Sequence, residues 1–194
     1  PQPESQEEAE LVLRAFVRSS ELRDRTVHFA QRRIWHEHTY THRAMSVMDS
    51  IGVAYSDPIP RSVSVVVSTN RPEHLSNVLE THAAQKLENR ELIIVQHGFG
   101  SSPEMLSHAA DLGIENLVLI DAPGSDSLGA CLNRGIEAAS GDVIAKMDDD
   151  DIYGEHYLTD QLAALRYSNA DLVGKQAHYL HLRNRDIVMC RFPE

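Results

Sequence analysis

The chain has 194 residues, enough for one domain with an appendage. Its apolar share of 42% and charged share of 24% exclude wholesale disorder. A net charge of −11 argues against broad binding to nucleic acid or anionic membranes, which requires a basic surface.

The charge is uneven. Residues 1–57 carry 9 acids against 7 bases, and residues 58–194 carry 20 against 11. Cys131 and Cys190 have no CxxC spacing and make no disulfide framework. Reduced thiols and a cytoplasmic location are therefore expected. No apolar run reaches the ~20 residues of a membrane-spanning helix. The start, Pro1-Gln2-Pro3-Glu4, lacks an initiator methionine and suggests a piece of a longer protein.

In chain order, residues 7–50 read as helical. Leu11, Ala15 and Leu22 form one stripe, and Val27, Ala30 and Ile34 continue it. Two helices are expected, broken near Ser19-Ser20, with Ser20 as a cap. His38 and His42, four apart, would share a helix face, but solvated histidines are the plainer reading than zinc ligands. Asp57-Pro58-Ile59-Pro60 reads as a stiff linker, because a residue before proline is pushed out of the helical region.

Beyond the linker, short apolar strands alternate with helices. Strands are expected at 63–67, 92–95, 117–120 and 143–147. Helices are expected at 72–85 (with Asn70 as cap), 103–111, 128–139 and 155–167. That alternation predicts parallel βαβ units. Residues 177–191 read instead as a hairpin, with strands at 179–182 and 187–190.

Three constellations fall where chemistry gathers, at the carboxyl ends of strands. The first is Asp148-Asp149-Asp150-Asp151 after the fourth strand. Adjacent carboxylates repel, and a cation would relieve that. Mg²⁺ or Mn²⁺ takes oxygen ligands and shares them with substrate phosphates. The plainer alternative is an acidic turn capping the next helix. A calcium loop fits poorly, since Tyr153 and Asp160 stand where a carboxylate and a glutamate belong. The second constellation is Ser68-Thr69-Asn70-Arg71-Pro72, whose hydroxyls, amide and guanidinium suit a base or a phosphate. The third is Ser127 to Gly135, with Gly129 permitting close backbone approach and Asn133 and Arg134 in the following helix. Neither a dinucleotide-binding glycine fingerprint nor a P-loop occurs.

Taken in order, residues 62–179 resemble the family 2 glycosyltransferases of the GT-A fold. The resemblance rests on Val63 to Pro72, Leu128-Gly129, Asn133-Arg134-Gly135, and Ala139-Ser140-Gly141-Asp142 leading through the strand to Asp148–Asp151. It implies an α/β fold of Rossmann-like type: a mainly parallel sheet flanked by helices, with an N-terminal helical appendage. Residues 1–57 would be the appendage. Residues 58–194 would be a nucleotide-sugar-binding domain, truncated at its C-terminus.

The resemblance also implies roles. Ser68, Thr69, Arg71, Asn133 and Lys146 would line the nucleotide-sugar site, with Thr69 and Arg71 at the uridine end. Asp148 would hold the ribose or the metal sphere, and Asp150 the divalent cation, Mn²⁺ or Mg²⁺. Asp149 would lie in the same site as the variable spacer of the Asp-x-Asp motif. The family usually shows acids before a glycine after the second strand. Here Val95-Gln96-His97-Gly98 stands there, and Gln96 would meet the uracil edge. The donor would be a nucleotide diphosphate-sugar, UDP-linked, and the transfer inverting. The acceptor, a saccharide or another molecule, is not identified, and neither is a general base. The alternatives are a non-catalytic nucleotide-binding or interaction module and, more remotely, an aspartyl phosphohydrolase, which Ile152 disfavours.

Residues 21–25 and 37–43 carry a weaker resemblance to the closing helices of GT-B glycosyltransferases of the spore-maturation type. That implies a GT-B module preceding this one.

Overall fold

A computed structural model describes residues 3–56 and 62–193. They fall into two units that divide at Pro58/Ile59. The expected linker at 57–60 lies outside the described residues.

The first unit is three helices: α1 (Gln6–Arg18), α2 (Ser20–Glu37) and α3 (Tyr40–Ser50). Two were expected. The first break falls as expected, but Ser19 rather than Ser20 caps α2, accepting from the Leu22 amide. The second break lies at His38-Thr39, where the Thr39 hydroxyl accepts from the His42 amide and starts α3. A side-chain oxygen satisfying an orphan amide is the ordinary signal of a helix start. His38 ends α2 and His42 opens α3, so they do not share a helix face.

The second unit is built on four parallel strands in the order β3-β2-β1-β4. These are β1 (Val63–Thr69), β2 (Arg90–His97), β3 (Leu117–Ala122) and β4 (Val143–Lys146). The connecting helices are α4 (Leu75–Ala83), α5 (Pro103–Asp111) and α6 (Leu128–Glu137), and α7 (Tyr157–Ser168) follows β4. The helix expected from Pro72 opens instead with a 3-10 turn over Pro72–His74, and Asn70 does not cap it.

Side chains alternate across the strands and sort the core into two layers. Val63, Val65, Val67, Leu92 and Ile94 face Leu75, Val78 and Leu79 of α4, Met105 and Ala109 of α5, and Leu158 of α7. Val95 faces Cys131 of α6 on the other side. There Gly135 lets α6 sit close, since a Cβ on it would lie 2.5 Å from Val66 Cγ1. Strands buried on both faces explain the unbroken Val and Ile runs of β1 and β2.

The hairpin forms separately, as β5 (His178–Leu182) and β6 (Ile187–Arg191), paired antiparallel.

Candidate functional site

Parallel register assembles the site. Val66 pairs with Lys146 across β1 and β4, and the Met147 amide extends that ladder by donating to the Val66 carbonyl at 3.1 Å. Continued by three residues, the same offset sets Asp149 beside Thr69. The alternation of β4 also runs past its end. Met147 and Asp149 point to the core side at 3% and 5% exposure, while Asp148 and Asp150 point out.

Asp149, the middle residue of the expected Asp-x-Asp motif, is therefore the anchored aspartate of the run. The Thr69 hydroxyl and the Arg71 Nη2 both donate to its carboxylate, and Arg71 Nε donates at 3.1 Å. His74 Nδ1 lies 3.5 Å away. Burial pushes this carboxyl up more than any other single influence. The hydrogen bonds from Arg71 and Thr69 and the charges of Arg71 and His74 together outweigh burial and hold it below the usual range. A buried carboxylate survives only with such partners.

Asp148 and Asp150 keep roughly half of their side chains in solvent, 46% and 52%. Lys146 Nζ pairs with Asp148, which lies two residues on and on the same face. Arg71 Nη2 also reaches Asp150, at 3.0 Å. The loop backbone is held from two sides: the Asp148 amide donates to the Tyr153 hydroxyl at 2.9 Å, and Asn77 Nδ2 donates to the Asp149 carbonyl at 2.8 Å. Tyr153 packs edge-on against Tyr157, and burial pushes its hydroxyl up to about 12, so it stays protonated at neutral pH.

Mg²⁺ and Mn²⁺ are commonly held by one or two carboxylates, with water and phosphate completing the sphere. Asp148 and Asp150 match that mode. No cluster of three or more His, Cys, Asp or Glu ligands occurs among the described residues. The donor set thus suits a cation shared with a diphosphate rather than one in an all-protein cage.

Ser68 lies one residue before Thr69, on the opposite face of β1. Its Oγ is buried and makes no hydrogen bond among the described residues. Gln96 departs from expectation. It is fully buried beside Thr69, accepts from Ser101 Oγ at 2.7 Å, and turns its amide nitrogen towards Met105 Sδ at 3.9 Å. It does not present an edge to a base. His97, the next residue, is only partly buried, and its Nε2 makes no hydrogen bond among the described residues.

Asn133 is exposed on α6. It lies about 200° round α6 from Cys131, which faces the sheet, so it stands on the solvent face. Arg134 is engaged locally, with Nη2 2.9 Å from Asp126.

The Ser140-Gly141-Asp142 part of the motif serves the opposite end of the sheet. Glu91 accepts from the Ser140 amide at 2.7 Å and from Gly141 at 3.2 Å. Asp142 accepts from the Ser62 amide at 3.3 Å. A Cβ at Gly141 would stand 2.7 Å from the Ser64 amide nitrogen. These residues dock β4 against β1 and so set the register that delivers Asp149.

The family described as Glycosyl transferase family 2 matches residues 64–185. EpsH of Bacillus subtilis (strain 168), which bears the name of a glycosyltransferase, is 32% identical over 114 residues, covering 58% of this chain and 32% of EpsH. The chain thus spans about a third of that relative's length. Among solved structures, S. aureus TarS 1–349 gives a TM-score of 0.48 at 23% identity, over 57% of this chain and 34% of that one. Its complex with UDP gives 0.49 at 19% identity, over 63% and 42%. The matched stretch runs from β1 through the acidic loop to the hairpin, and the chain belongs to glycosyltransferase family 2, with the mainly parallel, helix-flanked sheet of the GT-A fold.

Proposed function

We propose that this chain carries the donor site of an enzyme that moves a sugar from a nucleotide diphosphate-sugar, UDP-linked, to an acceptor, with a divalent cation and with inversion. The observation that carries this reading is the split of the acidic run. Asp149 is locked to Thr69 and Arg71, which leaves Asp148 and Asp150 together at the surface, half exposed and paired with Lys146 and Arg71.

In this reading Asp150 and Asp148 hold Mn²⁺ or Mg²⁺, which supplies Lewis-acid neutralisation of the diphosphate leaving group. Arg71 and Lys146, each paired with a surface carboxylate, offer cations to the phosphates. Ser68 Oγ and His97 Nε2, which make no hydrogen bond among the described residues, take the nucleoside end in place of Gln96. The bond between the sugar's anomeric carbon and the phosphate oxygen breaks, and an acceptor hydroxyl attacks from the opposite side. The general base that takes its proton is not assigned to a residue of this chain.

Residues 1–57 are proposed as the closing helices of a preceding GT-B module. Three helices that bury no side chain of their own support that reading, because a packed partner would have to supply their core. No helix among the described residues is long and apolar enough to cross a membrane.

Calorimetry with UDP, with and without Mn²⁺, tests the donor site. UDP is expected to bind more tightly with Mn²⁺, and Asp150→Ala to remove that gain. No UDP binding under either condition would sink the proposal.

A further inference from the structure

We infer that Asn77, on α4, is a positioning residue for the acidic loop: its side-chain amide holds the main chain on both sides of Asp150 and so aims the Asp150 carboxylate. The inference rests on the reading of Asp150 as a cation ligand. Asn77 Nδ2 donates to the Asp149 carbonyl at 2.8 Å and to the Asp151 carbonyl at 3.3 Å. Both partners are acceptors, so only the NH₂ end of the amide can face them, and its two hydrogens match the two carbonyls. The residue between those carbonyls is Asp150. The Asp149 carbonyl lies in the peptide that enters Asp150 and the Asp151 carbonyl in the peptide one residue beyond it, so the two bonds bracket the backbone of Asp150 and Asp151 against a helix and restrict the dihedrals that set the Asp150 Cα–Cβ direction.

The other tethers act elsewhere. Thr69 and Arg71 hold the side chain of Asp149, and Tyr153 holds the Asp148 amide. Without Asn77, the chain from Asp150 to Asp151 would rest on the Asp149 side chain, on the hold of Gln85 at the Gly154 carbonyl further along, and on the Asp150 contact with Arg71, a contact a cation must displace or share. Asn77 itself sits in the first turn of α4, anchored by buried Leu75, Val78 and Leu79. Groups that orient a metal ligand without touching the metal typically change metal affinity by 10- to 100-fold.

The test compares wild type with Asn77→Ala and Asn77→Gln. Alanine is the better helix former and leaves α4 intact. Gln restores an NH₂ on a longer arm. Two quantities are read. Hydrogen exchange of the amides at 148–153, without metal, reports the loop alone. UDP titrations at rising Mn²⁺ report the cation. Asn77→Ala should speed exchange at 148–153 but not in β1 or β2, weaken apparent Mn²⁺ affinity roughly tenfold, and leave metal-free UDP binding unchanged. Asn77→Gln should recover part of both. Unchanged loop exchange would overturn the inference. So would faster exchange with unaltered Mn²⁺ affinity, since Asn77 would then only stabilise the loop. Absence of any Mn²⁺ effect in wild type would instead count against the donor-site reading, and loop exchange alone would then decide whether Asn77 orders the loop.

Discussion

Replacing Asp149 with Asn keeps the size of the side chain but removes its charge. It tests whether the second aspartate of the run anchors the site. In the native protein this carboxylate accepts from Thr69 and twice from Arg71, and it is almost wholly buried. Hydrogen bonds to a charged group each contribute about 1.5–3 kcal/mol. The amide of Asn can still accept from one donor, and Arg71 remains partly in water, which weakens its share. A net loss of about 2 kcal/mol follows, or roughly 4–8 °C in melting temperature for a chain of this size. The loss should depend on pH. The Asp149 carboxyl is held below its usual value of 3.8 in the folded protein. Its contribution is thus full above that value and fades as pH falls through the lower, folded value. Melting curves of wild type and Asp149→Asn from pH 7 to pH 3 should start apart and converge towards acid. Equal melting temperatures at pH 7, or a gap that does not narrow, would refute the anchoring role and the register argument behind it.

Two further predictions concern the scaffold. Gly141→Ala should destabilise the protein by about 1–3 kcal/mol, because the added methyl meets backbone at Ser64 and not a yielding side chain. Chemical denaturation measures it, and a stability equal to wild type would contradict the docking role given to Gly141. Burial, aided by the charge of Arg90, pushes the imidazole of His82 down to about 4 from 6.5. The unfolded chain therefore takes up a proton there before the folded chain does, and stability falls as pH drops from 6.5 towards 4, by about 3 kcal/mol in all. His82→Leu should flatten the pH dependence of the denaturation midpoint in that window, and an unaltered slope would argue against a buried neutral His82.

Much of the fold was legible because it depends on local pattern. The Val and Ile runs of β1 and β2 are buried on both faces and flanked by turn residues, so composition alone marks them as strands of a parallel sheet. The second break in the N-terminal helices was missed because Thr39, its cap, stands in an otherwise unbroken polar stretch. Thr69, Arg71 and the aspartates were picked out by their place after strands. Position in a motif does not say which way a side chain points, so it does not tell that Gln96 is buried or that Asn133 stands on the solvent face, and a lone Asn on a helix, such as Asn77, carries no pattern.

The sequence by itself determined the alternation of strands and helices, and with it the clustering of Thr69, Arg71 and Asp148–Asp151 at one end of a parallel sheet. Only the tertiary structure decided how those residues divide their work. The β1–β4 register, set at the far end by Gly141 and Asp142, carries Asp149 to Thr69 and leaves Asp148 and Asp150 outward. Four identical side chains in a row hold no information about that division. The pairing of one strand with its neighbour supplies it, because residues two apart share a face and a shift of one residue would exchange the buried aspartate for the exposed ones.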